Sequence, residues 1–133
     1  MSEKLCALRK IGGGMSEKVL WTNPNPTSSF SQSACSLSES VDNFDYIKVL
    51  YRASTSNNTQ GSAIWPTSII KISSGGANKI RTSFSATDAS SNIFSRIIGY
   101  NNSQSLTIGN ARQWGQDIDN NTLAIPLEII GLK

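Results

Sequence analysis

The chain has 133 residues, of which 38% are hydrophobic, so it can form one domain with a modest core. Only 16% of the residues are charged, the net charge is +3, and the chain after residue 18 is nearly neutral. This balance lacks the basic stripe of a nucleic-acid-binding surface, and we expect no nucleic-acid partner. No stretch approaches the ~18 apolar residues of a membrane span, and no signal-peptide pattern opens the chain. We therefore expect no membrane insertion.

Residues 1–17 are predicted to form a short flexible leader. The tetrapeptide of residues 1–4 recurs at residues 15–18, and three glycines stand between the two copies at residues 12–14. A run of glycines is typical of a flexible hinge. The two cysteines are Cys6, in this leader, and Cys35, so we do not expect a structural disulfide. Free thiols are consistent with synthesis in a reducing cytoplasm.

From residue 18 onward, the pattern predicts one β-strand after another with polar turns between them. Strands are expected at residues 19–22, 35–41, 44–53, 64–72, 79–87, 92–100, 106–108 and 123–130. In residues 79–87 the alternation is regular, with Ile80, Thr82, Phe84 and Ala86 on one face. No segment keeps a 3.6-residue period. Short strands with frequent turns predict an all-β fold, an antiparallel β-sandwich resembling a jelly roll, as a single domain over residues 18–133.

Two details refine this sandwich. Pro126 lies inside the last predicted strand, which should therefore be an edge strand or be bulged there. Residues 44–53 and 92–100 carry apolar side chains at both odd and even positions, so both faces of each predicted strand are apolar. Because a two-layer sandwich buries one face of each sheet, the second apolar faces need a partner subunit, a covering loop or a closed barrel.

The residues that carry most catalytic and metal chemistry are missing from this composition. The chain has no histidine, so the commonest general base and the commonest metal ligand are absent. Two lone cysteines do not make a usual zinc site, and the nine acidic residues are scattered. We expect no catalytic residues, no metal and no cofactor. Two alternatives stay open, a glycosidase with paired carboxylates and a calcium ion at the oxygen-rich residues 117–121.

The three tryptophans are the best candidates for a binding surface. Trp21 is predicted to be core, and Trp65, beside a proline at the start of a strand, can be core or rim. Trp114 lies among polar residues, where it either anchors its loop or exposes a ring on which a sugar can stack. The predicted ligand-binding residues are Arg112, Gln113, Trp114, Gln116 and Asp117, with Trp65 and Tyr100 as possible neighbours.

Framework segments of the chain carry a resemblance to a known family. They are residues 19–23 (VLWTN), 26–30 (PTSSF), 43–49 (NFDYIKV) and 125–131 (IPLEIIG). This set resembles a C-terminal module of tail-fibre, baseplate and minor structural proteins of phages and prophages of Gram-positive gut bacteria. The resemblance covers residues 18–133, and its motifs are strands and turns rather than a site.

The resemblance implies a non-enzymatic virion module of the tail or baseplate, made in the bacterial cytoplasm, that adheres to a host cell-surface saccharide. It also implies contacts with other virion tail proteins and a homotrimer, in which three weak sites gain avidity together. The alternatives are a structural tail or decoration protein without a glycan ligand, and a fragment of a carbohydrate-active enzyme.

Overall fold

The computed structural model describes residues 15–73 and 78–133. The predicted leader therefore lies mostly outside the described residues. Its last part belongs to the first sheet, because Ser16 and Lys133 exchange two backbone hydrogen bonds of 3.0 Å. The first strand begins at Glu17, one residue before the predicted start of the domain.

Ten β-strands account for most of the described residues. They are β1 (Glu17–Thr22), β2 (Ser33–Ser36), β3 (Tyr46–Ser54), β4 (Gln60–Pro66), β5 (Thr82–Thr87), β6 (Ile93–Asn102), β7 (Ser105–Ile108), β8 (Arg112–Gln113), β9 (Ile118–Asp119) and β10 (Leu123–Leu132). A 3-10 turn covers Val41–Asn43, and one short α-helix, α1, covers Thr67–Ile70. Within the described ranges, no helix has the length and apolar character that crossing a membrane requires.

The strands form two sheets. The first sheet has the strand order β1-β10-β3-β4, and the second has the order β2-β7-β6-β8-β9. Strand β5 also belongs to the second sheet, where it pairs with the edge of β6 opposite to β7 and β8. All ladders between these strands are antiparallel. The predicted antiparallel β-sandwich is thus confirmed.

The core lies between the inner faces of the two sheets. Its fully buried side chains include Ile47, Val49, Ile98, Leu106, Ile125 and Ile129. Thr82 and Phe84 point into it from β5, as the alternation predicted, and the Phe84 ring lies 4.7 Å from the Tyr51 ring, centroid to centroid. Burial raises the pKa of the Cys35 thiol to about 12, so this cysteine is a core residue rather than a reactive group.

The predicted strand over residues 64–72 is wrong in its second half. Strand β4 ends at Pro66, and α1 follows directly. Thr67 fixes this turn, because its hydroxyl donates to the Phe44 carbonyl at 2.8 Å and its backbone N–H donates to the Asp45 carbonyl at 2.9 Å.

The strand predicted from residue 79 begins only at Thr82, and Ile80 is 53% exposed.

Pro126 lies in an interior strand with a bulge. Because β10 pairs with both β1 and β3, the expected edge strand is wrong, and a register shift between Pro126 and Glu128 confirms the expected bulge. On the β1 side, the Asn23 amide donates to the Pro126 carbonyl at 2.8 Å. The Asn23 side chain thus supplies a hydrogen bond to β10 at a place where the regular backbone ladder is interrupted.

Arg96 is the largest fully buried side chain, and it lies on β6 with its guanidinium between the sheets. Its nitrogens donate to five backbone carbonyls, those of Phe30, Gly109, Asn121, Leu123 and Ala124. Burial lowers the pKa of Arg96 to about 10, which still leaves the group charged at neutral pH. The guanidinium therefore joins the loops at Phe30 and Gly109 to the start of β10.

Candidate functional site

The outer face of the second sheet carries a groove of about 450 Å³. Along β6 the even-numbered side chains at 94, 96 and 98 are buried, so Ile97, Gly99 and Asn101 lie on the opposite, outward face. Thr107 is the register partner of Gly99 on the neighbouring strand. A Cβ added at Gly99 would meet nothing within 4 Å, so the floor of the groove is open because this residue has no side chain.

The hairpin of β8 and β9 places Trp114 at the groove. Gly115 follows the tryptophan with a φ of 92°, and the Gln116 N–H donates back to the Gln113 carbonyl at 3.3 Å. A tight turn with a positive φ at its third position favours glycine there. The indole is 52% exposed, so it is not a buried anchor of this loop.

Two guanidinium groups orient the indole. The central carbons of Arg81 and Arg112 lie 5.3 Å and 5.2 Å from the ring centroid, within cation–π range. Arg112 also pairs with Asp117 at 2.8 Å and with Asp119 at 3.5 Å. The hydrogen bond that Arg112 donates to the Asp117 carboxylate raises the pKa of Arg112. The ring and its neighbouring charges are therefore pre-positioned.

The structure brings three of the predicted site residues together. Arg112, Trp114 and Tyr100 line the groove, and Tyr100 also packs against the core. Asp117 does not line the groove, but it forms an ion pair with Arg112, which does. The remaining predicted residues do not line the groove. Gln113 and Gln116 belong to the hairpin beside it, and Trp65 lies on the inner face of the other sheet, opposite Ile47.

Sequence reasoning missed the polar residues on the remaining sides of the groove. These are Gln32, Asn101, Thr107, Asn110 and Asp119. Asn110 ties the wall together, because its side-chain oxygen accepts from the Gln32 backbone N–H at 2.7 Å and from the Asn121 amide at 3.1 Å. These residues come from separate loops and strands. Of them, the sequence pattern singled out only Asp119, as one of the oxygen-rich residues 117–121.

The oxygen-rich residues 117–121 are engaged within their own loops. Asp117 and Asp119 pair with Arg112, and the Asn120 oxygen accepts from the Thr122 hydroxyl at 2.6 Å. The Asn121 oxygen accepts from the Ala111 N–H at 3.0 Å. Within residues 15–73 and 78–133, no cluster of three or more acidic or cysteine side chains could hold a metal ion. The calcium alternative therefore receives no support from these residues.

Comparison with known proteins does not assign the chain to a family. No protein-family model matches it, and no curated protein matches it either.

Proposed function

We propose that this protein binds a saccharide of a host cell surface through the groove beside Trp114, as a non-enzymatic tail or baseplate module of a phage. The observation that supports this most is the half-exposed indole, held by two arginines at the wall of a groove whose floor is open. An oriented aromatic ring offers an apolar face to the C–H groups of a sugar. Amide and hydroxyl groups on the other walls can pair with its hydroxyls.

The charges of the groove favour an uncharged sugar. Arg112 and Asp119 line it, and each is the other's ion-pair partner. Asp117 lies against the same guanidinium, and Arg81 lies at the tryptophan, so two guanidinium groups and two carboxylates stand together at this wall. A polyanionic ligand would have to approach two carboxylates. We therefore propose a neutral saccharide.

The virion context is a proposal that rests on the resemblance of the framework segments. Three of these segments, residues 19–23, 43–49 and 125–131, contact one another in the structure. Asn23 bonds to Pro126, and Phe44 lies directly over the backbone of Gly131. They thus form one structural unit on β1, β10 and β3. The assembly we propose is a homotrimer that joins other virion tail proteins.

Replacing Trp114 by alanine tests the binding site. We expect saccharide affinity to fall roughly 5- to 150-fold, since losing a stacked, partly exposed ring costs about 1–3 kcal/mol. The melting temperature should change little, because the ring is 52% exposed. Glycan-array screening followed by calorimetry measures the affinity, with Trp114→Phe as the control that keeps an aromatic face. Unchanged binding by Trp114→Ala would overturn the site, and release of reducing ends from the bound glycan would favour the enzyme alternative.

Light scattering tests the assembly separately. We expect a mass of three chains, because apolar side chains such as Leu50 on β3 and Ile64 on β4 remain on the outer face of the first sheet. A trimer with no glycan signal on the array would favour the alternative, a structural virion protein without a ligand. A monomer at working concentrations would contradict the homotrimer.

A further inference from the structure

A second and larger cleft, of about 970 Å³, opens between the two sheets at one end of the sandwich. The loop of residues 55–59 borders it on the first sheet, and the turn of residues 88–92 borders it on the second. Asn120 lines this cleft, whereas its neighbour Asp119 lines the groove beside Trp114. The cleft and the groove are therefore separate depressions on the two sides of one turn.

The cleft exists because inward-facing positions at this end carry very small side chains. On β3 the inward row continues from Ile47 and Val49 to Tyr51 and then to Ala53. Gly61 is the register partner of Tyr51, and on β5 the row that includes the buried Phe84 ends in Ala86. Deeper in the sandwich the same rows hold isoleucine, valine and phenylalanine, which fill the space between the sheets.

Tyr51 closes the inner end of this cleft. Its ring packs on Phe84, and a Cβ added at Gly61 would lie 3.2 Å from the tyrosine ring and 3.3 Å from its hydroxyl oxygen. The ring thus lies over the bare backbone of Gly61. Tyr51, with its hydroxyl group, is thereby held in place at the inner end of a cleft that opens to solvent.

The rim of the cleft is rich in neutral hydrogen-bonding groups. Thr55, Asn57, Thr59, Ser85, Thr87 and Thr122 are among its lining residues. Among the described residues that line the cleft, Asp88 is the one carboxylate, and there is no lysine or arginine. The Asp88 carboxylate accepts from the Ser90 and Asn92 backbone N–H groups, each at 2.9 Å, and these bonds lower the pKa of Asp88. The Asp88 carboxylate is thus held by hydrogen bonds within its own turn.

We propose that this cleft is a second binding site, for a neutral saccharide of two or more units. A tyrosine at the inner end, a rim of mostly neutral hydroxyl and amide groups, and a single carboxylate that is hydrogen-bonded within its own turn suit an uncharged, polyhydroxylated ligand. This proposal goes beyond the groove site and does not depend on it. Each site can fail without the other.

The test uses variants that fill each depression from its own floor. In the cleft, Ala86→Leu places an aliphatic side chain between the sheets, and Ala53→Leu does so from the opposing strand. In the groove, Gly99→Val is the matched control, since a Cβ there meets nothing within 4 Å. Filling an open space with apolar side chain should leave the melting temperature unchanged or raise it.

Nuclear magnetic resonance titration of the nitrogen-labelled full chain with three neutral sugars, cellotriose, maltotriose and triacetylchitotriose, distinguishes the outcomes. We expect at least one trisaccharide to shift the amide signals of Tyr51, Gly61 and Ala86. Those shifts should be lost, with at least tenfold weaker binding, in Ala86→Leu or Ala53→Leu and be retained in Gly99→Val. If no trisaccharide shifts these signals at millimolar concentration, or if a folded cleft variant keeps the shifts, the second site is overturned. Shifts confined to Gly99, Thr107 and Trp114 would support only the groove.

Discussion

Replacing Arg96 by methionine is expected to lower the free energy of unfolding by about 3–5 kcal/mol, the cost of removing one side of a buried polar network. The guanidinium is fully buried, and all five of its N–H donors are used on backbone carbonyls. Methionine fills a similar volume without a donor. The carbonyls of Phe30, Gly109, Asn121, Leu123 and Ala124 would then be left without these partners.

One effect opposes this loss. Burying a charge without a carboxylate is unfavourable, and none of the ion pairs among the described residues involves Arg96. Removing the charge therefore recovers some free energy of desolvation. We expect the loss of these hydrogen bonds to dominate, because each buried acceptor that is left without a donor costs about 1–3 kcal/mol.

Urea unfolding of the wild type, Arg96→Met and Arg96→Lys measures the difference. Lysine keeps the charge but has only three donors at one point, so its stability should lie between the other two. If methionine is too unstable to fold, the lysine variant still reports the loss. A methionine variant within about 1 kcal/mol of the wild type would contradict the role given to these hydrogen bonds.

The sandwich could be predicted from the sequence because alternation and turn spacing are local properties. Residues 82–87 show this most clearly, since Thr82 and Phe84 are buried as expected. The helix at Thr67–Ile70 could not be predicted in this way. It is fixed by bonds from Thr67 to the carbonyls of Phe44 and Asp45, which are distant in the chain.

The candidate groove was predictable to the extent that its residues are neighbours in the chain. Trp114 and Arg112 belong to one hairpin, and their polar surroundings drew attention to them. The opposite walls come from Gln32, Thr107 and Asn110, which the register of β6 with β7 and loop contacts bring together. Pairing of distant segments is a property of the tertiary fold, and nothing in their local sequence indicates it.

Arg96 shows the same limit in the core. Its neighbours Phe94 and Ile98 share its parity, and both are buried. An alternating strand therefore indicates that residue 96 points inward. The backbone carbonyls that accept hydrogen bonds from Arg96 come from remote parts of the chain. The sequence pattern therefore predicts that the side chain points inward, but it does not predict its hydrogen-bond partners.

Replacing Gly131 by alanine is expected to destabilise the fold by about 1–3 kcal/mol, the usual cost of overpacking a core. A Cβ at this position would lie 2.5–2.7 Å from three atoms of the Phe44 ring, well inside van der Waals contact. Phe44 is 8% exposed, so the ring cannot simply swing into solvent. The backbone itself tolerates alanine, because Gly131 is not among the glycines with positive φ. The loss would thus be steric.

Gly99→Ala is the matched control for this prediction, since both glycines lie in strands and a Cβ at Gly99 meets nothing within 4 Å. Alanine restricts the unfolded chain, so the control should be unchanged or more stable by up to about 1 kcal/mol. The two substitutions should therefore differ in sign in the same denaturation experiment. Adding Phe44→Leu to Gly131→Ala makes a double-mutant cycle, and the pair should be less destabilising than the sum of the two single substitutions. Additive losses, or equal stability of the two alanine variants, would show that the Phe44 ring does not limit the space at Gly131.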